Sequence, residues 1–96
     1  MNKKIFKYKI EVEHEQVIKI PKGSKLVDIQ VQNGEIQMWA VVDEAVKEVD
    51  GMRIMIAGTG RPIHFDLEVY EHLKTVQIEN YVWHIYVDKQ HIKRFR

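Results

Sequence analysis

The segment Gly58-Thr59-Gly60-Arg61-Pro62 has the residue types that bind an anionic group. Its two glycines allow the backbone to approach a ligand closely and to adopt positive φ. Thr59 offers a hydroxyl, and the planar guanidinium of Arg61 matches the oxygens of a phosphate or carboxylate. Exposed N–H groups of such a turn can add an anion nest. We predict a phosphate-binding loop here, and the simpler alternative is a strand-ending turn with a solvated arginine.

This loop does not match the two common nucleotide motifs. A P-loop needs the pattern GxxxxGK[ST], which the chain lacks, and a dinucleotide fingerprint needs a helix directly after its glycines. The sequence predicts no helix after Gly60. Any phosphate site here is therefore of another kind.

Two tryptophans and one histidine complete the predicted ligand site. Trp39 alternates with a row of apolar residues and so faces the opposite side of its strand, towards a groove, a second layer or a subunit partner. Trp83 and His84 lie in the last predicted strand. Aromatic rings stack on bases and also anchor interfaces, so we predict that Trp39, Trp83 and His84 contact a ligand. Ordinary core packing is the alternative for all three.

The remaining histidines give weaker signals for chemistry. His64, Asp66 and His72 lie in one irregular segment and have the types needed for metal binding or acid–base catalysis. No HExxH spacing is present, and the only serine, Ser24, follows a glycine in a turn-like segment. We therefore predict no catalytic residue, no metal site and no cofactor.

The sequence pattern around these residues predicts β-strands over most of the chain. Apolar and polar residues alternate near residues 4–12, and Asn33-Gly34 between two alternating segments is a strong hairpin signal. Glu79-Asn80 predicts a second tight turn, and residues 43–50 predict a loop or a single helical turn. The predicted strands cover residues 4–12, 17–20, 25–32, 35–43, 52–57, 73–78 and 81–88.

Composition supports the same fold class. Val and Ile together number 24 whereas Leu numbers 3, and β-branched side chains favour pleated strands over helices. The absence of Cys excludes a disulfide scaffold and a Cys-ligated zinc site. We predict an all-β, mainly antiparallel single domain over residues 1–96, a small sandwich or partly open barrel of about seven strands, with residues 88–96 as a basic C-terminal tail.

The net charge and the length of the chain limit the classes of partner that we expect. Fifteen Lys and Arg balance 14 Asp and Glu, so extensive nucleic-acid binding is not indicated. No stretch approaches the roughly 20 apolar residues of a membrane span, and Lys7 and Lys9 interrupt any signal-peptide core, so we expect a cytoplasmic protein. Residues 26–31 and 81–88 are apolar on both faces, which a chain of this size can hardly cover alone. We expect a homo-oligomer.

Several segments resemble a family of short phage and prophage proteins without an assigned function. The shared pattern is VQNG, WA.VD, GTG.PI, TVQ and VWH, carried here at residues 31–34, 39–43, 58–63, 75–77 and 82–84. The resemblance covers residues 4 to about 87. Arg61, where a histidine is common in the family, and the basic tail depart from the pattern.

Small phage proteins of this size commonly serve as inhibitors of host defence, as virion accessories or as regulators, so a phage origin makes activity against host defence one expectation. One such class comprises β-rich oligomeric sponges that sequester cyclic nucleotides or ADP-ribose-type signals without cleaving them. Such a sponge needs aromatic rings for a base and Arg or N–H groups for phosphate. The alternatives are an inhibitor or adaptor that docks on a host protein and an enzyme that degrades the signal. The predicted ligand-binding residues are Gly58, Thr59, Gly60, Arg61, Trp39, Trp83 and His84.

Overall fold

Seven strands account for most of the chain. The structure, a computed structural model, describes residues 2–91. The strands are β1 (Lys3–Ile10), β2 (Glu15–Pro21), β3 (Lys25–Gln32), β4 (Glu35–Asp43), β5 (Val49–Gly58), β6 (Tyr70–Ile78) and β7 (Tyr81–Asp88).

The strands form two antiparallel sheets that face each other in an open sandwich. The three-stranded sheet has the order β1-β4-β3, and the four-stranded sheet has the order β2-β5-β7-β6. The predicted all-β fold class is confirmed, because residues 2–91 are helical only at 89–91. The predicted bounds of β3, β4 and β7 are correct to the residue.

The two predicted tight turns join neighbouring strands. Asn33 (φ 54°) and Gly34 (φ 76°) both have positive φ, which is the requirement of the type I′ turn between β3 and β4. Glu79 also has positive φ, 54°, in the β6–β7 turn. Residues 44–48 form a connection without a regular helix, as expected.

Three strands are longer than predicted. β2 spans Glu15–Pro21, β5 begins at Val49, and β6 begins at Tyr70 rather than at Leu73. The predicted irregular connection therefore ends at residue 69. The alternation in β6 is interrupted by a bulge between His72 and Lys74, which hides the strand from a simple period-two pattern.

The core lies between the inner faces of the two sheets. Each strand contributes alternate residues to it, and most are Ile, Val or Met, the large buried ones being Ile10, Ile20, Ile29, Ile36, Met38, Met52, Ile54 and Ile85. The abundance of Ile and Val is thus explained by two half-buried sheets sharing one core.

The first residues of the predicted basic tail, 88–91, form the end of β7 and a short helical segment. Asp88 is the last residue of β7, and its side chain accepts a hydrogen bond from the Gln90 N–H (2.8 Å) as residues 89–91 turn into helical conformation. The Lys89 N–H donates to the Val69 carbonyl (2.9 Å), so this part packs back on the fold. The tail residues 92–96 lie outside the described residues. Within residues 2–91, no helix is long and apolar enough to cross a membrane.

Candidate functional site

The loop after β5 is held by a tight turn. The Arg61 N–H donates to the Gly58 carbonyl (3.1 Å) and Gly60 has a φ of 82°, which is the pattern of a type II turn. The Thr59 N–H donates to the Val82 carbonyl (3.2 Å). Two N–H groups of the predicted anion nest are therefore used inside the fold. The loop is left with the N–H of Gly60 and the Arg61 guanidinium for a ligand.

Gly58 allows two functional side chains to meet above the backbone. A Cβ atom at Gly58 would lie 3.0 Å from Cζ3 of Trp83 and 3.4 Å from Cγ of Arg61. The indole and the aliphatic stem of the arginine therefore both rest on this glycine. This arrangement groups an arginine and an indole at one place, and these residue types suit a planar ligand that carries negative charge.

Two depressions adjoin at this point and share Gly58, Arg61 and Trp83. The first has a volume of about 670 Å³ and lies between the β1–β2 connection, the end of β5 and residues 61–65. Ile56 holds the β1–β2 connection in place, since its N–H donates to the His14 carbonyl (3.2 Å). The second depression, of about 430 Å³, lies beside the β6–β7 turn and is also lined by Tyr81.

The first depression combines apolar and ionisable side chains. Met55, Ala57 and Phe65 supply apolar surface, and the rings of His14 and His64 meet edge-on with centroids 5.9 Å apart. Glu13 and Glu15 lie on the same rim as His14. Within residues 2–91 the Arg61 guanidinium has no hydrogen bond or ion pair, so it is available to an anion.

Thr59 connects the loop to a chain of hydrogen bonds on the outer face of the four-stranded sheet. The Thr59 hydroxyl lies 2.7 Å from Nε2 of His84, whose Nδ1 lies 3.0 Å from the Thr75 hydroxyl. The Thr75 hydroxyl also meets Nε2 of His72 at 2.7 Å. His84 therefore positions the loop rather than facing either depression, because both of its ring nitrogens are engaged.

Phe65 anchors the connection between β5 and β6 on the same outer face. Its ring packs against Tyr86 (centroids 4.9 Å apart) and against Tyr70 (5.6 Å). Met55 and Ala57, which alternate outwards, are consequently buried. The packing of Phe65 on the sheet holds the neighbouring residue His64 in the wall of the first depression.

A family model described as Domain of unknown function (DUF7352) matches residues 1–95. The chain belongs to this family. No curated protein and no solved structure matches the chain. The resemblance to a family without an assigned function is confirmed at this level.

The predicted site residues of the DUF7352 chain fall into three places. Gly58, Arg61 and Trp83 come together at the depressions, whereas Thr59 and His84 bond to each other beside them. Trp39 lies in β4 opposite Lys7 and Asp28, on the outer face of the three-stranded sheet, and lines neither depression. Alternation along β4 predicted this outward face, and the strand pairing decides which side chains surround the ring.

The residues considered for catalysis are not assembled. The Asp66 side chain accepts a hydrogen bond from the Glu68 N–H (2.8 Å) in a turn, His64 lines the first depression, and His72 bonds to Thr75. Across residues 2–91, no group of three or more His, Asp or Glu side chains could hold a metal ion.

Sequence reasoning missed three residues of this site. Tyr81 lies two positions before Trp83 in one strand, so period-two alternation already indicated that both rings share a face. His14 and Phe65 carried no such signal, because they lie in connections that only the tertiary fold brings to β5.

Proposed function

We propose that this protein is a non-enzymatic binding protein that captures a phosphate-bearing small molecule, a nucleotide, in the first depression. The observation that carries the proposal is the placement of the Arg61 stem and the Trp83 indole together above Gly58. The Arg61 guanidinium has no hydrogen bond or ion pair within residues 2–91. Arg61 binds the phosphate, Trp83 stacks on a planar ring, and the apolar wall from Met55 to Phe65 excludes water. A volume of about 670 Å³ suits a ligand of nucleotide size.

The biological role that fits such capture is sequestration of a host immune signal of the cyclic nucleotide or ADP-ribose type. The protein would then be phage-encoded, act in the host cytoplasm and work as a homo-oligomer. Support for this role is the short β-rich chain and the resemblance described above. Native mass spectrometry of the purified protein, followed by analysis of anything released on heating, tests both the oligomer and the ligand.

Arg61→Ala is the decisive variant for capture. Calorimetry against cyclic di- and trinucleotides and ADP-ribose derivatives should give at least one dissociation constant below about 100 μM, which corresponds to about 5–6 kcal/mol. Removal of a charge-assisted contact to phosphate should weaken that binding by tenfold or more. The Arg61 side chain is exposed, so the fold should be unaffected.

Lys47→Ala is the matched control, because Lys47 is an exposed cation in the β4–β5 connection and lines neither depression. It should bind like the wild type. If no member of the panel binds the wild type more tightly than about 100 μM, capture is wrong. Equal binding by the Arg61 and Lys47 variants would remove Arg61 from the site.

A protein-docking module is the second candidate, favoured by Trp39 on the outer face of the three-stranded sheet. Tryptophan is a frequent hot spot at protein interfaces. Purification from host lysate separates the two functions, since a stoichiometric protein partner favours docking and a co-purifying nucleotide favours capture. Arg61→Ala should leave docking intact.

An enzyme acting on the same ligand is the third candidate. Its best support is the Thr59 hydroxyl within 2.7 Å of His84, the spacing of a nucleophile and its base. His84 is backed by the Thr75 hydroxyl rather than by a carboxylate, which gives little stabilisation to a protonated imidazole. Recovery of intact ligand after prolonged incubation argues against this candidate, and a time-dependent product would support it.

A further inference from the structure

The second depression contains an exposed aromatic ring, that of Tyr81, which the capture of one nucleotide does not use. The rings of Tyr81 and Trp83 are nearly parallel, with an interplanar angle of 25° and centroids 6.2 Å apart. Tyr81 is 63% exposed, so its ring is free to adjust. Aromatic rings on a protein surface stack on the planar faces of bases. The exposed Tyr81 ring therefore offers a stacking surface to a planar base in the second depression.

The two depressions meet at the same cation. Gly58, Arg61 and Trp83 belong to the linings of both, so a phosphate on Arg61 would lie between two spaces that each accept a planar ring. One space is bounded by apolar residues of β5 and its following loop, and the other by Tyr81 and Asn80 of the β6–β7 turn.

We infer that the ligand is a dinucleotide, whose first base enters the first depression and whose second base stacks on Tyr81 in the second depression, with its phosphates at Arg61. This inference rests on the proposed capture of a nucleotide and specifies the ligand class. The Asn80 side chain, in the same lining as Tyr81, offers a donor and an acceptor to the edge of the second base.

The test compares a mononucleotide with a dinucleotide on the intact protein. AMP, the linear dinucleotide pApA and cyclic di-AMP are titrated by calorimetry into wild type, Tyr81→Ala and Tyr81→Phe. Wild type should bind the dinucleotides at least tenfold more tightly than AMP, since stacking of one further base supplies about that factor. Tyr81→Ala should lose this difference and keep its AMP affinity, and Tyr81→Phe should behave like the wild type because the ring remains.

The outcomes separate this inference from the proposed function. Equal affinities of wild type for AMP and both dinucleotides would overturn the second base site and leave nucleotide capture standing. A Tyr81→Ala variant that keeps the full preference for dinucleotides would also overturn it. If the wild type binds neither these three ligands nor any member of the wider nucleotide panel, nucleotide capture fails, and the second site fails with it.

Discussion

Gly58 shows how one missing side chain shapes the candidate site. The Trp83 indole approaches the glycine so closely that a Cβ atom there would be 3.0 Å from Cζ3. Its φ is not in the positive region, so the glycine is required by this close approach and not by the backbone conformation. Gly60 differs, because its φ of 82° is what the turn demands and no atom lies within 4 Å of a Cβ there.

Gly58→Ala should move the indole by a few tenths of an ångström and lower the free energy of unfolding by about 1 kcal/mol, the lower end of the cost of overpacking. The emission of Trp83, measured in a Trp39→Phe background so that it alone fluoresces, should shift. Unchanged emission together with unchanged stability would show that the indole does not rest on Gly58.

At the scale of the strands, two β-bulges lie beside an ion pair that links the two sheets at one side of the sandwich. Val27 is the extra residue in β3 and Leu73 the extra residue in β6, the edge strands of their sheets. Directly after these residues, the Lys74 ammonium donates to the Asp28 carboxylate at 2.9 Å. The bulges therefore aim a cation and an anion at each other across the gap between the sheets.

Because of this ion pair, we expect the free energy of unfolding to decrease at acid pH. Donation by Lys74, and further by Gln30 and the Ile29 N–H, lowers the pKa of the Asp28 carboxyl from 3.8 to about 2. The folded pKa is below the unfolded one, so the contribution is present above about pH 4 and is lost as the pH falls towards 2. The side chains of Lys74 and Asp28 are 40% and 36% exposed, so the contribution should not exceed about 1 kcal/mol.

Urea unfolding between pH 2 and pH 6 measures this effect. Asp28→Asn should show a flatter decline in the free energy of unfolding between pH 4 and pH 2 than the wild type. Lys74→Gln and the double variant complete a cycle that isolates the pair. Identical pH profiles for Asp28→Asn and wild type would contradict the role given to this contact.

For the whole molecule, the stability of the fold depends on one hydrophobic core between the two sheets. Ile54 lies on β5, which pairs with β2 and β7, and its side chain is fully buried. A domain of this size buries a smaller fraction of its surface than a large one, so single core contacts form a large share of its stability.

Ile54→Ala should therefore lower the free energy of unfolding by about 2–5 kcal/mol, the usual cost of this truncation in a core. Ile5→Ala is the matched control, since it removes the same atoms from a side chain that is 58% exposed on β1. Its effect should stay within about 0.5 kcal/mol. Denaturant unfolding compares the two, and similar losses at both positions would contradict the assignment of the core.

The sequence by itself determined the strands and the local turns of this protein. Asn33-Gly34 predicted its hairpin because positive φ is a property of these two residues, and alternation in β7 depends only on the pleat. The grouping of Gly58 with Arg61 was also local, since they close one turn. The start of β6 was missed, because a bulge breaks the alternation there.

Only the tertiary structure decided which distant residues meet. It brings Trp83 onto Gly58 and sets His14 beside His64, and it places Trp39 in the other sheet, away from both depressions. Strand order and register are responsible, because a strand's own residues specify which face they occupy but not which strand lies beside them. The depressions are therefore a product of pairing between β5 and β7 and of the connections that pack over them.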